Sequence, residues 1–139
     1  IAIDLVEARA HSVVFYTWEH QLVEMIKLAK ARKITNTTWD SNHPEIETDF
    51  QAGKYQVLFA HPASAGHGLT LTKGTTTIWP SPTYNLTHFR QGLKRIHRIG
   101  QQEKTETIVI VAENTRDELA WEALNYKGKN MDALLKEFE

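Results

Sequence analysis

The sequence predicts an α/β fold in which a parallel sheet carries helices on both faces. Short apolar runs alternate with helical patterns along the whole chain of 139 residues, and this order builds a parallel sheet through crossover connections. The apolar runs are nearly continuous, as expected of strands that are buried on both sides. The length fits a single domain.

Five strands are predicted from runs rich in β-branched and aromatic residues. The first, S-V-V-F-Y, is followed directly by a helical pattern, and the last, T-E-T-I-V-I-V, is the strongest of the five. The fourth is followed by Pro80 and Pro82, which cannot donate hydrogen bonds to a sheet. The predicted strands span residues 12–16, 33–38, 55–60, 75–79 and 105–111.

Helices are predicted where apolar residues recur at helical spacing and where cap residues mark the ends. Pro44 can open the third helix at its first turn, and Gly53 can end it. Thr115 and Glu118 form the S/T-x-x-E pattern of a capping box. The predicted helices lie at about residues 1–9, 22–29, 44–53, 83–98 and 115–139, the last with a break near Gly128.

The charge and composition of the chain exclude several classes of protein. Sixteen basic and seventeen acidic residues give a formal net charge of −1, so any contact with nucleic acid has to be local. The absence of cysteine rules out disulfides and thiolate metal sites. The seven histidines are scattered, with no pair four residues apart, and we therefore expect no metal site.

Nothing in the sequence indicates a membrane segment or a secretory signal. No apolar run approaches the ~18 residues of a bilayer span, and the first residues, I-A-I-D, lack the basic and apolar blocks of a signal peptide. We therefore expect a cytoplasmic protein without membrane contact. Because the chain opens at Ile1 with what looks like the tail of a helix, we also expect it to be an excerpt of a longer protein.

The most informative part of the chain is residues 91–101, Q-G-L-K-R-I-H-R-I-G-Q. At about 100° per residue, Gln91, Arg95 and Arg98 fall within roughly 60° of one another on a helix that breaks at Gly100. One face therefore suits an anion and the other a core, although a generic basic helix face is more often simply solvated. The apolar residues of the opposite face are Phe89, Leu93 and Ile96.

Residues 91–101 resemble the last helicase motif of the Swi/Snf-type DNA translocases, a branch of the superfamily-two helicase-like ATPases. Residues 64–72, S-A-G-H-G-L-T-L-T, resemble the fifth motif of the same family. His67 stands where glycine is commoner, and Thr70 stands where asparagine is usual. Residues 13–16 resemble the strand of the fourth motif, so the resemblance covers essentially the whole chain.

This resemblance implies that the chain is the second, C-terminal RecA-like lobe of a two-lobe motor, with brace helices at about residues 115–139. It implies that Arg95 and Arg98 act as arginine fingers on ATP, and that Gln91 and Gly68 also contact the nucleotide. The residues that it implies for contacts with duplex DNA are Thr38, Ser64, Ala65, Gly66 and His67.

In this family the N-terminal lobe carries the phosphate-binding motif G-x-x-x-x-G-K-[ST] and the acidic motif that holds Mg²⁺, and we find no counterpart of either here. The resemblance therefore implies that ATP and Mg²⁺ bind mainly to that lobe, which would be the partner of this one in the parent protein. We expect the parent to hydrolyse ATP and the chain alone to be inactive. The short spacing between the motifs indicates a parent of bacterial or phage type.

Two alternative functions remain open. RNA helicases of the DEAD-box type also carry H-R-I-G, but in their register arginines would stand at Gln101 and Lys104. A stand-alone, non-enzymatic DNA- or nucleotide-binding module would share the same fold. Among single residues, His97 suits hydrogen-bonded packing better than a role as general base. The aromatic residues that suit packing better than base stacking are Trp39, Trp79 and Tyr84.

Overall fold

A computed structural model of the chain describes residues 1–64, 69–83, 85–98, 100–111 and 116–127. Within this part the strands form one sheet in which every pairing is parallel. The strands are β1 (Ser12–Phe15), β2 (Asn36–Thr38), β3 (Val57–Ala60), β4 (Thr76–Trp79) and β5 (Glu106–Val109). Their order across the sheet is β2-β3-β1-β4-β5. The predicted parallel α/β fold is therefore confirmed.

The helices of the described part lie where the sequence predicts them. They are α1 (Ala2–Glu7), α2 (Glu19–Ala31), α3 (Glu45–Gln51), α4 (Leu86–Leu93) and α5 (Arg116–Lys127). α4 is much shorter than the predicted span 83–98. α5 covers the first part of the predicted brace helices, whereas Thr115 of the expected capping box and residues 128–139 lie outside the described residues.

Both faces of the sheet are covered because neighbouring residues of a strand point to opposite sides. Val13 and Val14, adjacent on β1, are both fully buried and belong to two different apolar clusters. α1 and α2 cover the face of Val14, with Leu22 among the buried residues. α3 and α4 cover the face of Val13 through Phe50 and Phe89. The predicted helices on both faces are therefore present.

The amino-terminal edge of the sheet carries a charged hydrogen-bond network around Glu106, the first residue of β5. Its Oε1 accepts hydrogen bonds from Arg9 Nε at 2.6 Å and from Thr76 Oγ1 at 3.0 Å. These bonds connect the segment after α1 to β4 and β5. The hydrogen bond from Arg9 lowers the pKa of Glu106, partial burial opposes this shift, and the bond from Thr76 supports it.

We expect the domain to lose part of its stability in acid, because this network depends on the charged form of Glu106. Because the pKa of Glu106 is lower in the folded state than in the unfolded state, its contribution is fully present above the unfolded-state pKa. The contribution is lost as the pH falls through the folded-state pKa. The Glu106 side chain is 49% exposed, so solvent screening limits the effect to about 0.5–1 kcal/mol.

Urea unfolding at neutral pH and near pH 3 measures this effect. Glu106→Gln is expected to lose part of the pH dependence of the unfolding free energy. Glu103→Gln, which changes an exposed carboxylate nearby, is expected to keep it. The interpretation fails if Glu106→Gln has the same pH dependence as the wild type.

Candidate functional site

α4 brings the predicted arginine segment to the sheet. It begins after Asn85, whose Oδ1 accepts a hydrogen bond from the His88 N–H at 3.0 Å and caps the first turn. Phe89 is buried against the sheet. Gly92 lies so close to the ring of Trp79 that a Cβ atom there would be 2.9 Å from Cζ2. This close approach fixes where the residues after α4 lie.

α4 ends at Leu93, where the backbone hydrogen bonds change from four residues to three. The Arg95 N–H donates to the Gly92 carbonyl at 3.1 Å and the Ile96 N–H to the Leu93 carbonyl at 3.4 Å. Beyond this turn, the Arg95 carbonyl accepts a hydrogen bond from the Leu71 N–H at 2.8 Å. The prediction of a helix as far as residue 98 is therefore wrong, and ideal helical angles do not place the two arginines.

Arg95 and Arg98 nevertheless converge on one backbone oxygen. The Leu69 carbonyl accepts a hydrogen bond from Arg98 Nη1 at 2.8 Å and a longer one from Arg95 Nη1 at 3.4 Å. Arg95 Nε also donates to the Gln91 carbonyl at 2.8 Å. The structure thus brings the three predicted residues together, with different exposure of the cations. Arg98 is exposed, whereas Arg95 is only 7% exposed.

The two guanidinium groups concentrate positive charge at this turn. Burial lowers the pKa of Arg95, and the positive charge of Arg98 lowers it further, while Glu47 opposes both effects. The guanidinium group still stays charged at neutral pH, because its ordinary pKa is so high. Among the described residues, no carboxylate forms a salt bridge with Arg95. Such a turn is chemically suited to an anion with several oxygens.

A second group of predicted residues meets at the carboxyl ends of the strands. Thr38 ends β2, and Ser64 follows β3. The two residues line one open cleft of about 400 Å³. Parallel strands explain this meeting, because their carboxyl ends lie at the same edge of a sheet. The other lining residues are Trp39, Asp40 and Ser41.

The remaining predicted site residues belong to the glycine-containing loop that follows Ser64. Ala65, Gly66, His67 and Gly68 lie outside the described residues, so their predicted contacts are not placed. The chain is described again from Leu69, whose carbonyl holds the two arginines. In the sequence, these four residues separate the cleft residue Ser64 from Leu69, on whose oxygen Arg95 and Arg98 converge.

Sequence reasoning missed the Leu69 carbonyl and the side chain of Gln101. A backbone oxygen leaves no mark in a sequence, since every residue has one. Gln101 could have been noticed as the last residue of the arginine motif, but its three carbonyl partners come from parts of the chain that are brought together only by folding.

The structure shows the surroundings of three residues for which the sequence allowed two roles. The ring of His97 lies 2.8 Å from Thr105 Oγ1 through Nδ1, as expected for hydrogen-bonded packing. Trp79 is fully buried, and Trp39 packs against the same apolar cluster. These positions favour packing over base stacking for both tryptophans. Tyr84 lies outside the described residues.

Two further observations concern the described residues as a set. Across residues 1–64, 69–83, 85–98, 100–111 and 116–127, no helix is both long enough and apolar enough to cross a membrane. The same residues contain no group of three His, Asp or Glu side chains arranged to hold a metal ion.

Comparison with known proteins identifies the family. The family described as "Helicase conserved C-terminal domain" matches residues 1–100. Protein p41 of Acyrthosiphon pisum secondary endosymbiont phage 1 is 35% identical over 130 residues, which are 89% of this chain and 27% of p41. The SNF2 domain-containing protein ENL1 of Oryza sativa subsp. japonica is 27% identical over 128 residues, which are 87% of this chain and 13% of ENL1.

A solved structure has the same fold. The C-terminal part of the Fun30 ATPase domain matches with a TM-score of 0.75 and 14% identity, over 86% of this chain and 41% of that one. The chain thus spans less than half the length of each of these proteins, and the structural likeness confirms the RecA-like fold. The chain belongs to the helicase conserved C-terminal domain family, as the C-terminal lobe of a Swi/Snf-type helicase.

Proposed function

We propose that the chain is the second motor lobe of a DNA-stimulated ATPase. In this proposal Arg95 and Arg98 act on an ATP molecule that is held mainly by the N-terminal lobe of the same protein. The observation that carries the proposal is the convergence of both guanidinium groups on the Leu69 carbonyl, with Arg98 exposed. The structure of the C-terminal part of the Fun30 ATPase domain supports it by likeness of fold.

Phosphoryl transfer explains why two arginines are needed at such a place. Negative charge is spread over the oxygens of the transferred phosphoryl group, and a planar guanidinium group matches two of those oxygens at once. We propose that the exposed Arg98 contacts the phosphoryl group directly. Arg95, which donates to the Gln91 carbonyl, would add a second positive charge close to it. Gln91 and Gly68 are proposed as further nucleotide contacts.

In this proposal, the Mg²⁺ ion is bound by the other lobe. When bound, Mg²⁺ would neutralise part of the negative charge on the phosphate oxygens. Magnesium sites are usually built from carboxylates, whereas the two side chains that converge on the Leu69 carbonyl are cations. This chain's own residues therefore fit the terminal phosphates of ATP and not the metal, and we propose that both ATP and Mg²⁺ are bound mainly by the N-terminal lobe.

Duplex DNA is the proposed track of the motor. Thr38 and Ser64 would contact the phosphate backbone, because hydroxyl groups and backbone N–H groups are common partners of phosphate. Their position on one cleft at the carboxyl edge of the sheet supports this proposal. The net charge of −1 indicates local contacts without a broad basic surface. The proposed partners in the adjoining loop are Ala65, Gly66 and His67.

ATP hydrolysis with and without duplex DNA tests this function. We expect no turnover by this chain alone, and DNA-stimulated turnover once the chain is joined to its N-terminal lobe. Turnover by the isolated chain would contradict the proposal. A two-lobe protein that binds DNA without hydrolysing ATP would instead identify a non-enzymatic binding module.

A further inference from the structure

The side chain of Gln101 connects two segments that the proposed function uses. Its Nε2 lies within hydrogen-bond distance of three carbonyl oxygens, those of Thr72 at 3.0 Å, Gly74 at 3.1 Å and Ile96 at 3.0 Å. Its Oε1 accepts a hydrogen bond from the Glu103 N–H at 3.1 Å. Both the nitrogen and the oxygen of the carboxamide are therefore hydrogen-bonded.

The two connected segments have different roles in the proposed motor. Residues 69–74, which we call the return segment, lead from the glycine-containing loop to β4. Residues 94–98, which we call the arginine turn, carry both arginines. The backbone adds a further bond between them, from the Leu71 N–H to the Arg95 carbonyl at 2.8 Å. Gln101 thus reinforces the junction between the loop proposed to contact DNA and the groups proposed to contact ATP.

This position requires a hydrogen-bond donor. An amide nitrogen has two hydrogens, so three carbonyl acceptors must share them, and a carboxylate in the same place would repel all three oxygens. The backbone at Gly100 has a φ of +101°, a conformation that favours glycine. Together with the hydrogen bond from the Gln101 N–H to the Arg98 carbonyl at 3.0 Å, this turn aims the carboxamide at the return segment.

We infer that Gln101 is a positioning residue for ATP hydrolysis. It holds the arginine turn against the return segment, and in this way it keeps Arg95 and Arg98 in the positions that the proposed hydrolysis requires. Gln101 itself contacts neither substrate. The inference rests on the proposed function, because it assigns a role to the junction between the two proposed binding regions.

Gln101→Glu in the two-lobe protein tests the inference. We expect kcat in saturating DNA to fall about 10- to 100-fold, since small misplacements of a reacting group have effects of this size. The KM for ATP and the DNA concentration at half-stimulation should change by no more than about threefold. Gln102→Glu is the matched control, because the neighbouring glutamine is exposed. The control variant should behave as the wild type.

The amides of this chain provide a readout that does not need the other lobe. In Gln101→Glu, hydrogen exchange at the Leu71 N–H should become faster while that at Val14 on β1 stays unchanged. Gln101→Met, which is neutral and similar in length but has no donor, replaces Gln101→Glu if the latter does not fold. Unchanged exchange at Leu71 would overturn the inference.

Other outcomes separate this inference from the function on which it rests. If Arg98→Ala abolishes hydrolysis while Gln101→Glu matches Gln102→Glu, only the positioning role is overturned. If Arg98→Ala leaves hydrolysis intact, the proposed function itself fails. A loss in Gln101→Glu that disappears at a lower temperature, where the variant is fully folded, would show a structural role alone and would also overturn the inference.

Discussion

Replacing Arg98 with alanine in the two-lobe protein is expected to lower kcat of DNA-stimulated ATP hydrolysis by about 10³-fold or more, the range known for arginine fingers. The fold should stay intact, because Arg98 is exposed. Arg98→Lys keeps the charge but loses the planar fork, so its activity should lie between those of Arg98→Ala and the wild type. Initial rates with saturating ATP and DNA, together with thermal unfolding, measure both quantities.

Lys94→Ala is the matched control for this experiment. Lys94 is an exposed cation of the same arginine turn, and the proposed chemistry gives it no role. Its replacement should leave kcat within about threefold of the wild-type value. Equal losses in Arg98→Ala and Lys94→Ala would indicate that only the general positive charge matters, and the specific role of Arg98 would be abandoned.

Gly92→Ala is expected to destabilise the fold although alanine favours helices. The added Cβ would lie 2.9 Å from Trp79 Cζ2 and 3.3 Å from Phe15 Cε2. The Trp79 ring cannot easily move, since the rings of Phe15 and Phe89 lie at 4.7 Å and 4.8 Å from it. Overpacking of this kind costs about 1–3 kcal/mol, which exceeds the gain of up to about 1 kcal/mol in helix propensity.

A double-mutant cycle shows whether the indole ring is the cause. Phenylalanine lacks the ring atoms that crowd Gly92, so Gly92→Ala should cost much less in a Trp79→Phe background, with a coupling energy of about 1–2 kcal/mol. Thr87→Ala, at an exposed position of α4, is the control for helix propensity alone. Denaturant unfolding that shows Gly92→Ala to be as stable as the wild type would refute the packing argument.

Much of the fold could be predicted from the sequence because its strands are buried on both faces. The runs around Val13 and Leu58 are continuously apolar, without alternating polar residues, and both lie in strands of the sheet. The length of α4 could not be predicted. Helical spacing continues past Leu93, but the Arg95 and Ile96 N–H groups donate to carbonyls three residues back instead of four, and the apolar pattern gives no sign of this change.

The candidate site was predictable in its residue types and only partly in its geometry. Parallel topology was enough to place Thr38 and Ser64 at one edge. The burial of Arg95 was not foreseen, because its surroundings depend on the return segment, where the Leu69 carbonyl and the Leu71 N–H bond to it. The shared acceptor at Leu69 was invisible for a more general reason, since a backbone oxygen is the same in every residue.

The Leu69 carbonyl is a neutral acceptor for two cations. A phosphate is charged and can accept two parallel hydrogen bonds from one guanidinium group, which adds binding energy. In the proposed motor, a phosphate of ATP would therefore replace the Leu69 carbonyl as an acceptor. The guanidinium groups of Arg95 and Arg98 would then meet the nucleotide from one point of the lobe.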